Sequence, residues 1–198
     1  KEFLEKGWEL NEKEIKSLEK YKKNNTLFTD KLINLYRKKH KGKYVLIKQP
    51  KHIYFIKKIF KHFPNAKFIH LIRDGRDATM SQRYFLLPEG RKEWPYEWCC
   101  RQWAVAINKG KEFRNDSRYM EVRYEDIVNN TEKTINNIFK FLDLKKLSKK
   151  KLMGFYSDKS SSDPKDISKP LNKKGIHKWL EKMSEEDREK FKEIAGEE

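Results

Sequence analysis

An apolar run that stops at an arginine, with a serine eight residues further on, dominates the chemistry of this chain: Lys67-Phe-Ile-His-Leu-Ile-Arg-Asp-Gly-Arg-Asp-Ala-Thr-Met-Ser81. In a parallel α/β sheet, ligands gather beyond the carboxyl ends of the strands, where free helix N–H groups converge. Arg73 stands at such an edge. Its planar fork of donors suits a phosphate, Ser81 adds a hydroxyl from the helix that follows, and the first helical turn adds positive potential. A second reading needs no ligand: Arg73, Asp74, Arg76 and Asp77 pair with one another at a helix start, and Ser81 faces solvent. Spacing alone weighs the two evenly.

Other groups fall at comparable places. Lys48 closes the short apolar run Tyr44-Val-Leu-Ile-Lys48 at the same sheet edge as Arg73, though on residue type alone a lysine in so basic a chain is a surface residue. Tyr124 opens Tyr-Glu-Asp just past a third run; a strand-end aromatic with its hydroxyl in water is as good a reading as a ligand contact. Glu125 and Asp126 cap the next turn. Lys173-Lys174-Gly175 and Lys178 precede Trp179, and a basic run before a helix is ordinarily solvated. His70 alternates within an apolar strand as a core residue would, and His52 follows Pro50; neither is a firm general base. Five scattered histidines and two adjacent cysteines give no zinc spacing, so no metal is expected.

The elements that must position these groups read as alternating strand and helix. Residues 1–41 carry two amphipathic helices, one with Trp8, Ile15 and Leu18 on a face, the next with Phe28, Leu32 and Leu35 or Tyr36. Strands are expected over Tyr44–Lys48, Lys67–Ile72 and Arg118–Arg123. The first is followed by a helix from Pro50 that Pro64 stops, the second by a helix from Asp74 to about Leu87 and an apolar helical stripe from Pro95 to Phe113. Asn130 or Thr131 caps a further helix carrying Ile135, Ile138, Phe139 and Leu142, and Ser184-Glu-Glu-Asp187 fits a capping box for the last. Residues 156–172 lack periodicity and read as a long loop. The alternation predicts an α/β fold with a parallel sheet in a single domain.

Composition narrows the class without choosing within it. With 198 residues and 36% hydrophobic content the chain can bury one core. A net charge of +17, from 47 basic and 30 acidic residues, attracts polyanions, yet the lysines are spread along the whole chain as on a solvated surface. No apolar run approaches the ~20 residues that span a bilayer. Cys99 and Cys100 read as small buried apolar residues in a reducing, cytoplasmic setting. The oligomeric state is not legible.

From about Ile47 to Lys192 the order of Lys48-Gln-Pro, Phe63-Pro-Asn-Ala-Lys-Phe, Arg73-Asp-Gly-Arg, Tyr124-Glu-Asp, Lys169-Pro-Leu-Asn and His177-Lys-Trp resembles the tyrosylprotein sulfotransferases and related bacterial enzymes. These use 3'-phosphoadenosine 5'-phosphosulfate (PAPS). The resemblance implies a three-layer α/β fold like that of P-loop nucleotide-binding proteins, and sulfuryl transfer to an acceptor hydroxyl. It implies that Arg73 and Ser81 hold the 3'-phosphate, that Tyr124 meets the adenosine side and that Lys48 lies near the bridging oxygen of the leaving phosphate. Lys178 aligns with the cofactor rim, and Lys173, Lys174 and Gly175 resemble the Arg-Lys-Gly of cytosolic enzymes with one residue too few before the Trp. The family's Arg-Ser-Gly-Thr-Thr-type loop, which cradles the 5'-phosphosulfate, is not in this sequence. The expectation is therefore a domain over 1–198 that lacks the strand and phosphate loop at its start and is inactive alone. Two rivals stand beside it: a nucleotide kinase, which needs a Walker lysine the sequence does not contain, and a non-catalytic basic module for nucleic acid.

Overall fold

A computed structural model describes residues 3–85, 87–148 and 173–196, and falls into two compact units, 1–52 and 53–198. The loop expected over 156–172 and the Lys169-Pro-Leu-Asn segment lie outside the described residues.

In the first unit a π-helical turn, Phe3–Gly7, leads to α1 (Glu12–Leu18), and α2 runs Asn25–Lys39. Asn11 caps α1 with a capping box: its side chain accepts the Glu14 N–H while the Glu14 carboxylate accepts the Asn11 N–H. Asn24 caps α2 through the Leu27 N–H. The helical spacing of the apolar residues then closes a core of Leu10, Leu18 and Leu32, with Trp8, Ile15, Phe28 and Leu35 against it. Tyr44–Lys48 forms no strand. The segment has no ladder partner among the described residues, and Tyr44 and Leu46 are 56% and 88% exposed. An apolar run signals a wish for burial, but a strand also needs a neighbour for its backbone N–H and C=O groups.

The second unit holds the sheet. β1 (Phe68–Ile72) and β2 (Tyr119–Arg123) run parallel, Phe68 opposite Tyr119 and Ile72 opposite Arg123. Parallel neighbours need a long crossover, supplied here by α4 (Gly75–Arg83) and α5 (Tyr96–Lys111). Before β1 a 3₁₀ turn, Pro50–Phe55, leads into α3 (Ile56–His62), so the helix expected from Pro50 begins as a tighter coil. After β2 come α6 (Tyr124–Asn129) and α7 (Thr131–Phe141). Asn130 occupies the cap position of α7 without a capping bond, and the Thr131 hydroxyl donates back to the Ile127 carbonyl. Past residue 172 lie α8 (Trp179–Lys182) and α9 (Glu185–Ala195), the latter capped by Ser184 on the Asp187 N–H.

Two apolar clusters hold this unit together. Ile53, Ile56, Phe60 and Tyr119 form one, with Phe68 and Phe113 against it. Tyr96, Cys100, Met183 and Phe191 form the other, fastening α9 onto α5 with Trp103 and Trp179 alongside. Cys99 and Cys100 are unbridged and fully buried, and burial pushes the Cys99 thiol up to about 11. His70 is half-buried, 2.7 Å from the Tyr119 hydroxyl, and burial holds its imidazole below the ordinary histidine range. Among the described residues no helix is long and apolar enough to cross a membrane.

Candidate functional site

Arg73 leaves the carboxyl end of β1 one residue past Ile72, and its main chain is fixed from behind, where the Trp103 indole N–H donates to the Arg73 carbonyl at 3.1 Å. The side chain turns toward the later part of the chain. Its Nη2 donates to the Gly175 carbonyl at 2.5 Å, and the guanidinium carbon stands 5.2 Å from the Tyr124 ring centroid. Arg73 Nε is buried and has no hydrogen-bond partner among the described residues. A buried, unsatisfied guanidinium donor costs free energy unless something accepts from it, and a phosphate oxygen is the natural acceptor.

Gly175 suits this close approach. A Cβ there would stand 3.0 Å from the Tyr124 hydroxyl and 3.8 Å from Arg73 Nη2. Arg73, Tyr124 and Gly175, three residues singled out from the sequence, thus meet at one point. Ser81 does not join them by any contact: it is exposed, in α4 one helical turn beyond Asp77. Lys173 is exposed in the 3₁₀ turn Lys173–Gly175, and Lys178 is exposed at the cap position of α8. Lys48 is exposed in the first unit.

The ligand-free reading of the charges has support in two pairs, Arg76 with Asp74 in close contact and Arg73 Nη2 with Asp77 Oδ2 at the longer distance of 4.0 Å. Arg76 Nε and Nη2 grip the Asp74 carboxylate at 2.9 and 2.6 Å, while Asp74 also accepts the Arg76 N–H and so caps α4. Burial works to raise the Asp74 carboxyl, but the hydrogen bonds and charge of Arg76 outweigh it and hold it below the ordinary carboxylate range. Arg76 is not used up by that pair. Its guanidinium carbon lies 3.7 Å from the Trp179 ring centroid, a cation–π contact that seats the start of α8.

Three contributors were not legible as such. Asp77, readable as one more local charge, is buried and accepts the N–H groups of His177 and Trp179. Trp103, one of a helical stripe, spends its indole N–H on Arg73. Glu125, readable as a local cap, instead accepts the Asp74 N–H at 2.9 Å and so ties the end of β2 to the end of β1. An acid in the first turn of α4, four residues after Arg73, was the only signal of the first, and nothing in spacing distinguishes the other two. Among the described residues no cluster of three or more His, Cys, Asp or Glu is placed to hold a metal ion.

The class is that of an α/β protein with a parallel sheet, with an arginine at one strand end over a tyrosine from the neighbouring strand end. A profile of the sulfotransferase family matches residues 2–148, and the chain belongs to that family. It is similar to a protein-tyrosine sulfotransferase of Drosophila melanogaster, 29% identical over 138 residues, which cover 62% of this chain and 27% of that protein. Similar too are the omega-hydroxy-beta-dihydromenaquinone-9 sulfotransferase Stf3 of Mycobacterium tuberculosis, 27% identical over 117 residues (52% of this chain, 29% of that protein), and protein-tyrosine sulfotransferase A of Caenorhabditis elegans, 28% identical over 138 residues (63% and 35%). The matches span about a quarter to a third of the length of these relatives.

Proposed function

We propose that this chain binds the nucleotide end of PAPS and serves transfer of its sulfuryl group to an acceptor hydroxyl. The observation that carries the reading is Arg73: a buried guanidinium nitrogen without an acceptor among the described residues, at a strand end, beside Tyr124 and the Gly175 backbone. A 3'-phosphate there would take the free donor, and the Tyr124 ring would lie toward the adenosine. Lys173, Lys174, Gly175 and Lys178 would border the cofactor, with Ser81 contributing from α4. We read both units as one sulfotransferase domain of the three-layer, P-loop-like kind, supported by a family match that runs through both of them. Buried, unbridged cysteines fit a reducing, cytoplasmic compartment.

PAPS supplies an activated sulfuryl group: the acceptor oxygen bonds to sulfur as the sulfur–oxygen bond to the 5'-phosphate breaks, leaving adenosine 3',5'-bisphosphate, while the hydroxyl proton passes to a base. This chain's part is to orient the donor and to stabilise the charge that develops on the leaving phosphate. We assign the second task to Lys48. In the enzyme that turns over, Lys48→Ala lowers kcat far more than it weakens bisphosphate binding, because its contact strengthens as the leaving group gains charge. An unchanged single-turnover rate would remove Lys48 from the mechanism. The relatives' names point to a phenol in one case and an omega-hydroxyl in another. What those acceptors share is a hydroxyl oxygen as nucleophile, and the proposal for this chain stops there.

Isothermal titration calorimetry with adenosine 3',5'-bisphosphate and with AMP tests the reading. The bisphosphate binds more tightly, because its 3'-phosphate is the group that reaches Arg73. Equal affinities overturn the proposal.

A further inference from the structure

We propose that Asp77 is a positioning residue for the nucleotide: it fastens the 175–179 backbone onto the Arg73 site, and so raises affinity for an anion that its own charge opposes. The inference rests on reading Arg73 as the phosphate ligand. Asp77 is 3% exposed, and each of its oxygens is used by a different donor. Oδ2 accepts the His177 N–H at 2.8 Å and Oδ1 accepts the Trp179 N–H at 3.0 Å. A buried carboxylate is tolerated when its oxygens are satisfied, and here both partners are backbone donors 100 and 102 residues downstream. Capping of α4 does not require it, since Asp74 already caps that helix.

The neighbours of Asp77 act on the same segment. Arg73 holds the Gly175 carbonyl and Arg76 holds the Trp179 ring, so three residues within five positions grip three parts of one strap. His177, in the middle of the strap, has φ of 59°, a left-handed conformation that a β-carbon disfavours. A residue stays there when its surroundings over-determine it. The two N–H groups that converge on Asp77 belong to this residue and to the one two positions later.

Charge and position make opposite demands on the same substitution. Asp77 Oδ2 lies 4.0 Å from Arg73 Nη2. If the carboxylate mattered only as a nearby negative charge, neutralising it would leave Arg73 more attractive and tighten anion binding. If it holds the strap, neutralising it deprives one backbone N–H of its acceptor, the strap loosens, and binding weakens.

The test is calorimetry with adenosine 3',5'-bisphosphate on the 198-residue chain, read beside amide hydrogen exchange. Asp77→Asn keeps the side-chain shape and one carbonyl acceptor; about a tenfold loss of affinity is expected, with faster exchange at His177 and Trp179 and unchanged protection in β1 and β2. An Asn variant that binds as tightly as wild type, or more tightly, overturns the role of Asp77. If that variant does not fold, wild type alone decides: the bisphosphate slows exchange at His177 and Trp179, and unaltered exchange on saturation overturns the proposal. A wild-type chain that binds no bisphosphate overturns the reading of Arg73 and the affinity claim with it, an outcome distinct from an Asn variant that binds normally.

Discussion

Arg73→Ala is expected to weaken adenosine 3',5'-bisphosphate binding by roughly ten- to a hundredfold, the equivalent of about 1.5 to 3 kcal/mol for a hydrogen bond to a charged group. The loss combines the ligand contact with the hydrogen bond from Arg73 Nη2 to the Gly175 carbonyl, while the strand itself is spared. The Arg73 carbonyl is held by Trp103, and alanine keeps that carbonyl in place, so the end of β1 stays where it is. What disappears is the guanidinium between Tyr124 and Gly175, with the Nε that has no partner among the described residues. Arg73→Lys restores the charge but not the planar fork, and recovers only part of the affinity. Calorimetry of the two variants beside their thermal melts checks this; wild-type affinity in Arg73→Ala would take the residue out of the nucleotide site.

Gly75→Ala produces the larger change in stability. A Cβ at the first residue of α4 would lie 2.4 Å from Phe191 Cζ and 2.7 and 2.8 Å from Trp103 Cε2 and Cδ2, distances no packed pair of carbons sustains. Neither ring has an easy escape, because Phe191 sits in the buried cluster that fastens α9 to α5, and the Trp103 indole N–H is committed to Arg73. Overpacking of this kind costs about 1 to 3 kcal/mol, or roughly 2 to 12 °C of melting temperature in a chain of this size. A melt unchanged within a degree would mean that α9 does not pack against the start of α4 as described. The same variant weakens the bisphosphate as well, since displacing Trp103 loosens its hold on the Arg73 carbonyl.

Much of the second unit could be read from periodicity because its signals are local. The runs Lys67–Ile72 and Arg118–Arg123 became β1 and β2 to within a residue, and the stripe from Pro95 to Phe113 became α5. Tyr44–Lys48 failed as a strand because pairing is a property of two segments and a sequence window shows only one. The site divides in the same way. Arg73, Tyr124 and Gly175 were legible from residue type and motif order, and they do meet. Asp77 and Glu125 were not, since each carries an ordinary local explanation, and only the folded chain shows their carboxylates reaching backbone N–H groups far away in sequence. Ser81 was named from its spacing and motif order, and it lies exposed on α4, one turn beyond Asp77.

The straps from Arg73 to Gly175 and from Asp77 to His177 also fix an order of events. Each closes a loop of about a hundred residues, whereas β1, α4, α5 and β2 are consecutive neighbours that organise over much shorter distances. Closing a long loop costs chain entropy that is recovered only once both ends have a surface to meet, so the 175–179 strap and α9 are expected to assemble after the β1–β2 core and to open before it. A nucleotide seated between β1 and the 175–179 backbone would then act as a noncovalent cross-link across a closure of about a hundred residues. At a hundred times its Kd it adds about 2.7 kcal/mol to stability, and that gain falls on the element whose opening would otherwise begin unfolding.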